Sequence, residues 1–115
     1  MNVHLNIIFN SKKVNYMTER EANLVNQRMK EEYDNGNITM SQTWYIAKVL
    51  RLKAECTEIL RKLSTLSKDD SPYKYEWLEE ERHLKRKLFR ISDEIRFINN
   101  KYLKDIDYMS WKNKE

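Results

Sequence analysis

The sequence predicts a mainly α protein: one or two short N-terminal β-strands and a helix, followed by a long antiparallel coiled-coil helical hairpin. Three observations carry that expectation. The 115 residues include one Gly and one Pro, too few for the turns of an all-β sandwich or barrel, and too few glycines for a Rossmann or phosphate-loop site. Charged residues make up 35% and hydrophobic residues 40%, with a mean hydropathy of -0.90, a balance that suits an elongated helical chain better than a compact globule. Two long segments also repeat apolar residues at alternating spacings of four and three, the seam of a coiled coil.

Residues 3–9 alternate, with Val3, Leu5, Ile7 and Phe9 on one side and His4, Asn6 and Ile8 on the other. That is the pattern of a half-buried strand. Asn10, Ser11 and Lys12 read as a turn, and residues 13–17 as a second short strand. Pairing within one chain and pairing between two chains both fit. Thr18 is placed to cap a helix, with Glu21 completing a capping box. The helix should run to about Tyr33, with Ala22, Val25, Met29 and Tyr33 along one face, until Asp34-Asn35-Gly36-Asn37 stops it.

A second helix begins near Thr39 or Ser41 and carries Tyr45, Val49, Leu52, Cys56, Ile59, Leu63 and Leu66 on its seam. The break falls at residues 67–72, where Ser71 can cap and Pro72 can open a third helix. There Trp77, Glu81, Leu84, Leu88, Ile91, Ile95, Ile98 and Tyr102 repeat the spacing. A fold-back at Asp70 would set Leu63 opposite Trp77, Cys56 opposite Leu84, Leu52 opposite Leu88, Val49 opposite Ile91 and Tyr45 opposite Ile95. The hairpin would be about 40 Å long at 1.5 Å per residue. Ile59 would then face Glu81, whose carboxylate should lean outward to a base such as Arg61 or Lys85. The chain thus divides into residues 1–37, strands and first helix; 38–104, the hairpin; and 105–115, a tail.

Apolar residues remain outside the seam. The first helix and strands can cover Ile46, Leu50, Phe89 and Phe97, whereas Leu60, Tyr75 and Leu78 near the tip are left for a partner. A lone two-stranded ribbon is also marginal in water. Both points imply an oligomer, most simply a homodimer.

The chain holds 22 Lys and Arg against 18 Asp and Glu, a formal charge of +4 and a pI near 9.1. That mild excess is compatible with nucleic acid without demanding it. Cys56 is alone, so neither an intrachain disulfide nor a cysteine zinc site is expected, and a reducing, cytoplasmic setting fits. The N-terminus lacks a basic region ahead of its short apolar run, and no apolar stretch nears the ~20 residues of a membrane span. Catalytic groupings are weak. Glu79 and His83 are spaced for one helix face, but no further metal ligand clusters with them. No enzyme, cofactor, metal, membrane or small-molecule substrate is expected. The densest positive run is Arg82-His83-Leu84-Lys85-Arg86-Lys87, continued by Arg90. Arg82, Lys85, Arg86 and Lys87 could contact phosphates, or could pair with Glu55, Glu58, Glu79 and Glu80 as a solvated flank.

Residues 12–50 give a strand–helix–helix string: Lys13 to Met17, the Thr18-capped helix, the Gly36 turn, and Ile38 to Gln42 opening the next helix. This resembles the ribbon–helix–helix DNA-binding proteins of the Arc and MetJ type, and the relaxosome accessory proteins that add a helical extension. The resemblance implies that two chains pair one strand each into a ribbon entering the major groove. It implies Lys13, Asn15 and Met17 as base readers, Val14 and Tyr16 facing the core, and Thr39 and Ser41 at a phosphate.

Two readings of function follow. One is a dimeric DNA-binding protein of a plasmid, phage or similar element, of repressor or accessory type, with the hairpin serving assembly. The other is a protein-binding module, such as a phage-encoded inhibitor or adaptor that engages a host or defence protein through its basic hairpin and the tip residues Leu60, Tyr75 and Leu78. RNA is a third possible partner of the basic run.

Overall fold

The computed structural model describes residues 17–67 and 74–113, and these are mainly α, with no strand among them. The expected strand at residues 3–9, most of the one at 13–17, and the cap at Ser71 and Pro72 lie outside the described residues. Helix α1 spans Glu19–Asp34, α2 Met40–Ser67 and α3 Lys74–Tyr102, and a 3-10 turn follows at Tyr108–Lys112.

The starts of α1 and α2 have a local cause. The Thr18 hydroxyl accepts from the Glu21 N–H at 3.1 Å, and the Glu21 carboxylate accepts from the Thr18 N–H at 2.9 Å. That is the expected capping box, and Glu19 and Glu21 also complement the positive end of the helix. Thr39 and Gln42 repeat the device on α2, at 3.1 and 2.8 Å. α1 ends in a Schellman motif: Gly36 N–H donates to Tyr33 C=O at 3.0 Å and Asn37 N–H to Glu32 C=O at 2.9 Å. Gly36 has φ +77°, the left-handed region that this motif requires. At the far end of α2, the Trp77 indole N–H donates to the Leu66 carbonyl, one of the last-turn acceptors a helix leaves open.

The two apolar seams are the core. Val49, Leu52, Cys56, Ile59 and Leu63 of α2 are buried, as are Leu84, Leu88, Ile91, Ile95 and Ile98 of α3. The two helices pack along each other with opposite ends together, since Trp77 meets Leu66 while Tyr45 stacks on Tyr102 at 3.9 Å. The expected partner of Tyr45, Ile95, is therefore one heptad short of the observed one. A heptad slip leaves every seam residue facing a seam residue, so apolar periodicity does not choose between the two registers; the flat stack of Tyr45 on Tyr102 and the close approach of Cys56 to Ser92 belong to the longer one. Glu81 is half-buried and bonds Lys85 at 3.0 Å.

α1 packs on α2, burying Val25 and Met29 there, and the chain returns after α3 so that the 3-10 turn packs on α1. Leu103 and Tyr108 are buried, and Ile106, Met109 and Trp111 pack against the same apolar cluster. Residues expected to be a tail thus complete the core. The Tyr108 hydroxyl donates to Asn99 Oδ1 at 2.6 Å. Burial pushes its pKa up to about 12. Ile46 is fully buried and Leu50 half-buried, as expected, but Phe89 and Phe97 stay exposed because α1 lies on the α2 side of the pair.

Candidate nucleic-acid interface

Seen along α3, the seam residues Leu84, Leu88, Ile91 and Ile95 define the inner face, and Arg82, Arg86 and Arg90 fall at four-residue spacing on the outer one. All three are exposed, as is Lys87 on the adjoining flank. None of the four makes an ion pair among the described residues. Of the acids near them, Glu58 pairs with Arg61, Asp93 with Arg96, and Glu94 with Lys48 at 3.2 Å, while Glu79 and Glu80 are exposed and make no ion pair among the described residues. Lys85 stands apart from its neighbours, being half-buried on Glu81. Lys85 is thus drawn off the run by Glu81, whereas Arg82, Arg86, Lys87 and Arg90 form an exposed ridge without ion pairs among the described residues.

The remaining site candidates are distributed differently. Met17 is only 8% exposed and belongs to the apolar cluster, so its side chain is spent on packing and offers no base-reading edge. Lys13 and Asn15 lie outside the described residues. The Thr39 hydroxyl and N–H are both taken by Gln42, while Ser41 is exposed. At the tip, Leu60 and Leu78 are half-buried, Leu60 packing against the core, and the side chain of Tyr75 lies outside the described residues.

The largest exposed apolar side chains sit instead at the opposite end of the long helices. Met40 is 69%, Trp44 53% and Phe97 56% exposed. Trp44 meets Tyr45 edge-on at 5.0 Å, Tyr45 stacks on Tyr102, and Tyr102 meets Phe97 edge-on at 6.3 Å. Lys48 Nζ lies 5.3 Å from the Trp44 ring centre, and Lys101 Nζ lies 5.3 Å from Phe97 and 5.4 Å from Tyr102. The closeness of the two tyrosine hydroxyls raises the pKa of Tyr45 and lowers that of Tyr102, which the Lys101 charge lowers further. The sequence reading missed this row, because apolar residues flanking a seam look the same whether covered or bare.

Lys53 is the one lysine buried outright among the described residues, 4% exposed beside a cleft of about 350 Å³ lined by Met17, Thr18, Glu19, Leu50 and Thr57. Desolvation depresses its pKa to about 8, with the Lys112 charge acting in the same direction. Cys56, one turn further on, is fully buried, and burial pushes its thiol up to about 11 against the Ser92 hydroxyl beside it. Glu79 and His83 are exposed, and no group of three or more His, Cys, Asp or Glu suited to a metal occurs among the described residues. No described helix is long and apolar enough to cross a membrane.

Comparison with known proteins finds no matching family model, no matching curated protein and no matching solved structure.

Proposed function

We propose that this chain is a non-enzymatic DNA-binding protein that acts as a dimer, with α2 and α3 forming an antiparallel coiled-coil hairpin for assembly and the outer face of α3 contacting phosphates. One observation carries the reading: Arg82, Arg86, Lys87 and Arg90 are exposed within two and a half turns and have no acidic partner among the described residues. A fold gains no stability from such a ridge, since like charges at four-residue spacing repel by a few tenths of a kcal/mol per pair. Phosphates offset that repulsion and release counterions. A protein-binding role through the tip has less support, because Leu60 and Leu78 are half-buried.

The test is fluorescence anisotropy with a pool of random-sequence DNA between ~50 and ~200 mM salt, alongside light scattering for mass. Four phosphate contacts correspond to a log–log salt slope of about -3 to -4. Replacing Arg82, Arg86, Lys87 and Arg90 together by Ala should remove most of that slope and weaken binding at least tenfold, with mass and helicity unchanged. Binding that is indifferent to the fourfold change, or absent from the natural chain, refutes the reading.

A further inference from the structure

The charged ridge does not stop at Arg90. Seven residues on, two turns along the same face, stands Phe97, the α3 end of the row that runs through Tyr102 and Tyr45 to Trp44. From Arg82 to Phe97 the track is ~22 Å long at 1.5 Å per residue. The carboxylates bordering its aromatic end are already neutralised, Asp93 by Arg96 and Glu94 by Lys48. Beside Trp44 and Phe97 stand Lys48 and Lys101, each ammonium within 5.4 Å of a ring centre.

We infer that the aromatic row is a stacking platform for unpaired bases, and that the ligand of this surface is single-stranded DNA. The inference rests on the DNA-binding reading and narrows it. Phosphates alone would be served by the arginines, and duplex bases are already stacked on one another, presenting only their edges. Exposed rings next to cations suit a strand whose bases are free: the ring takes the base face while at Phe97 the Lys101 ammonium, which makes no ion pair among the described residues, turns to the phosphate. A protein partner would equally bury Trp44 and Phe97, but it would have to supply carboxylates matched to Arg82, Arg86, Lys87 and Arg90 along the same track, which a phosphate backbone does by its regular repeat. Charge complementarity thus favours a polyanion.

The experiment compares a thymidine oligomer of about fifteen nucleotides with a duplex of equal length, using intact protein and Trp44 fluorescence as a second signal. The expected result is tighter binding of the single strand, with quenching that Trp44→Phe removes while retaining most affinity. Trp44→Ala with Phe97→Ala should lower single-strand affinity by ~10-fold or more, since stacking is worth about 1–3 kcal/mol per base, and leave duplex affinity within about twofold. Both side chains are exposed, and circular dichroism checks that the fold is kept. Equal or tighter duplex binding overturns the inference while leaving the DNA-binding reading in place. Loss of dimer mass in the double Ala variant assigns the rings to a second copy of the chain and also overturns it. A uridine RNA oligomer of the same length is the third probe, and its tighter binding overturns the choice of DNA. Failure of both DNA forms to bind defeats the parent reading itself.

Discussion

Lys53→Met should change the sign of the protein's response to mild alkali. The Lys53 pKa falls from 10.5 to about 8, chiefly by burial, with Lys112 adding to the fall. Each unit is worth 1.36 kcal/mol, so the charged form in the folded state is penalised by roughly 3 kcal/mol. The sign follows from proton counting. Between pH 8 and 10.5 the unfolded chain holds the lysine proton and the folded chain does not, so stability rises with pH there, and below pH 8 the full penalty applies. Between pH 8 and 9 the rise is about 1 kcal/mol for this group alone. Two groups oppose it further up. Cys56 is raised from 9.0 to about 11 and Tyr108 from 10.0 to about 12; the folded state keeps those protons longer, so stability falls from about pH 9 upward. The natural protein should therefore gain stability from pH 8 to 9 and lose it above about pH 9.5. Urea unfolding followed by far-ultraviolet dichroism at pH 7, 8 and 9 reads this directly. The stability of Lys53→Met should be flat or falling from pH 8 to 9. A variant that keeps the natural rise refutes the argument.

Three further predictions concern the scaffold. Gly36→Ala should cost about 1–2 kcal/mol, read as a lower thermal midpoint; a Cβ there meets nothing within 4 Å, so the loss comes from φ +77° alone, and Gly36→Asn should cost less. Leu88→Ala, at a position with no exposure, should cost about 2–5 kcal/mol in urea unfolding. Trp77→Phe keeps an aromatic ring but removes the donor to the Leu66 carbonyl; it should cost about 1 kcal/mol and speed amide exchange in the last turn of α2.

Much of the scaffold was legible because its causes are local. Thr18 with Glu21, and Gly36 after Asn35, act within one turn, and the four-three spacing of Val49 to Leu63 and Leu84 to Ile98 maps directly onto burial. What failed to show depends on distant partners. Tyr45 finds Tyr102 one heptad beyond its expected partner because the pattern repeats every heptad. Lys53 reads as an ordinary surface lysine until α1 covers its side of α2, and Tyr108 sits in a segment too short to carry a period of its own. Of the candidate interface, Arg82, Arg86 and Lys87 were visible as a run, but their lack of acidic partners was not. That depended on Arg61, Arg96 and Lys48 capturing Glu58, Asp93 and Glu94. Met17 looked like a reader and is core.

The return of the 3-10 turn onto α1 has a consequence for how the molecule is made. Thr18 and Asn113 border one cleft, so the beginning and end of the described chain are neighbours. α1 leaves the ribosome first, yet the segment that covers it, with Tyr108 at its centre, follows roughly seventy residues later. At about 5–20 residues per second that is an interval of several seconds, during which Val25 and Met29 have only α2 to shelter them. The two long helices do not need that segment to pack on each other, whereas α1 is sealed by it. A released chain truncated before Tyr108 should therefore display a protease-sensitive α1 beside a protected α2 and α3.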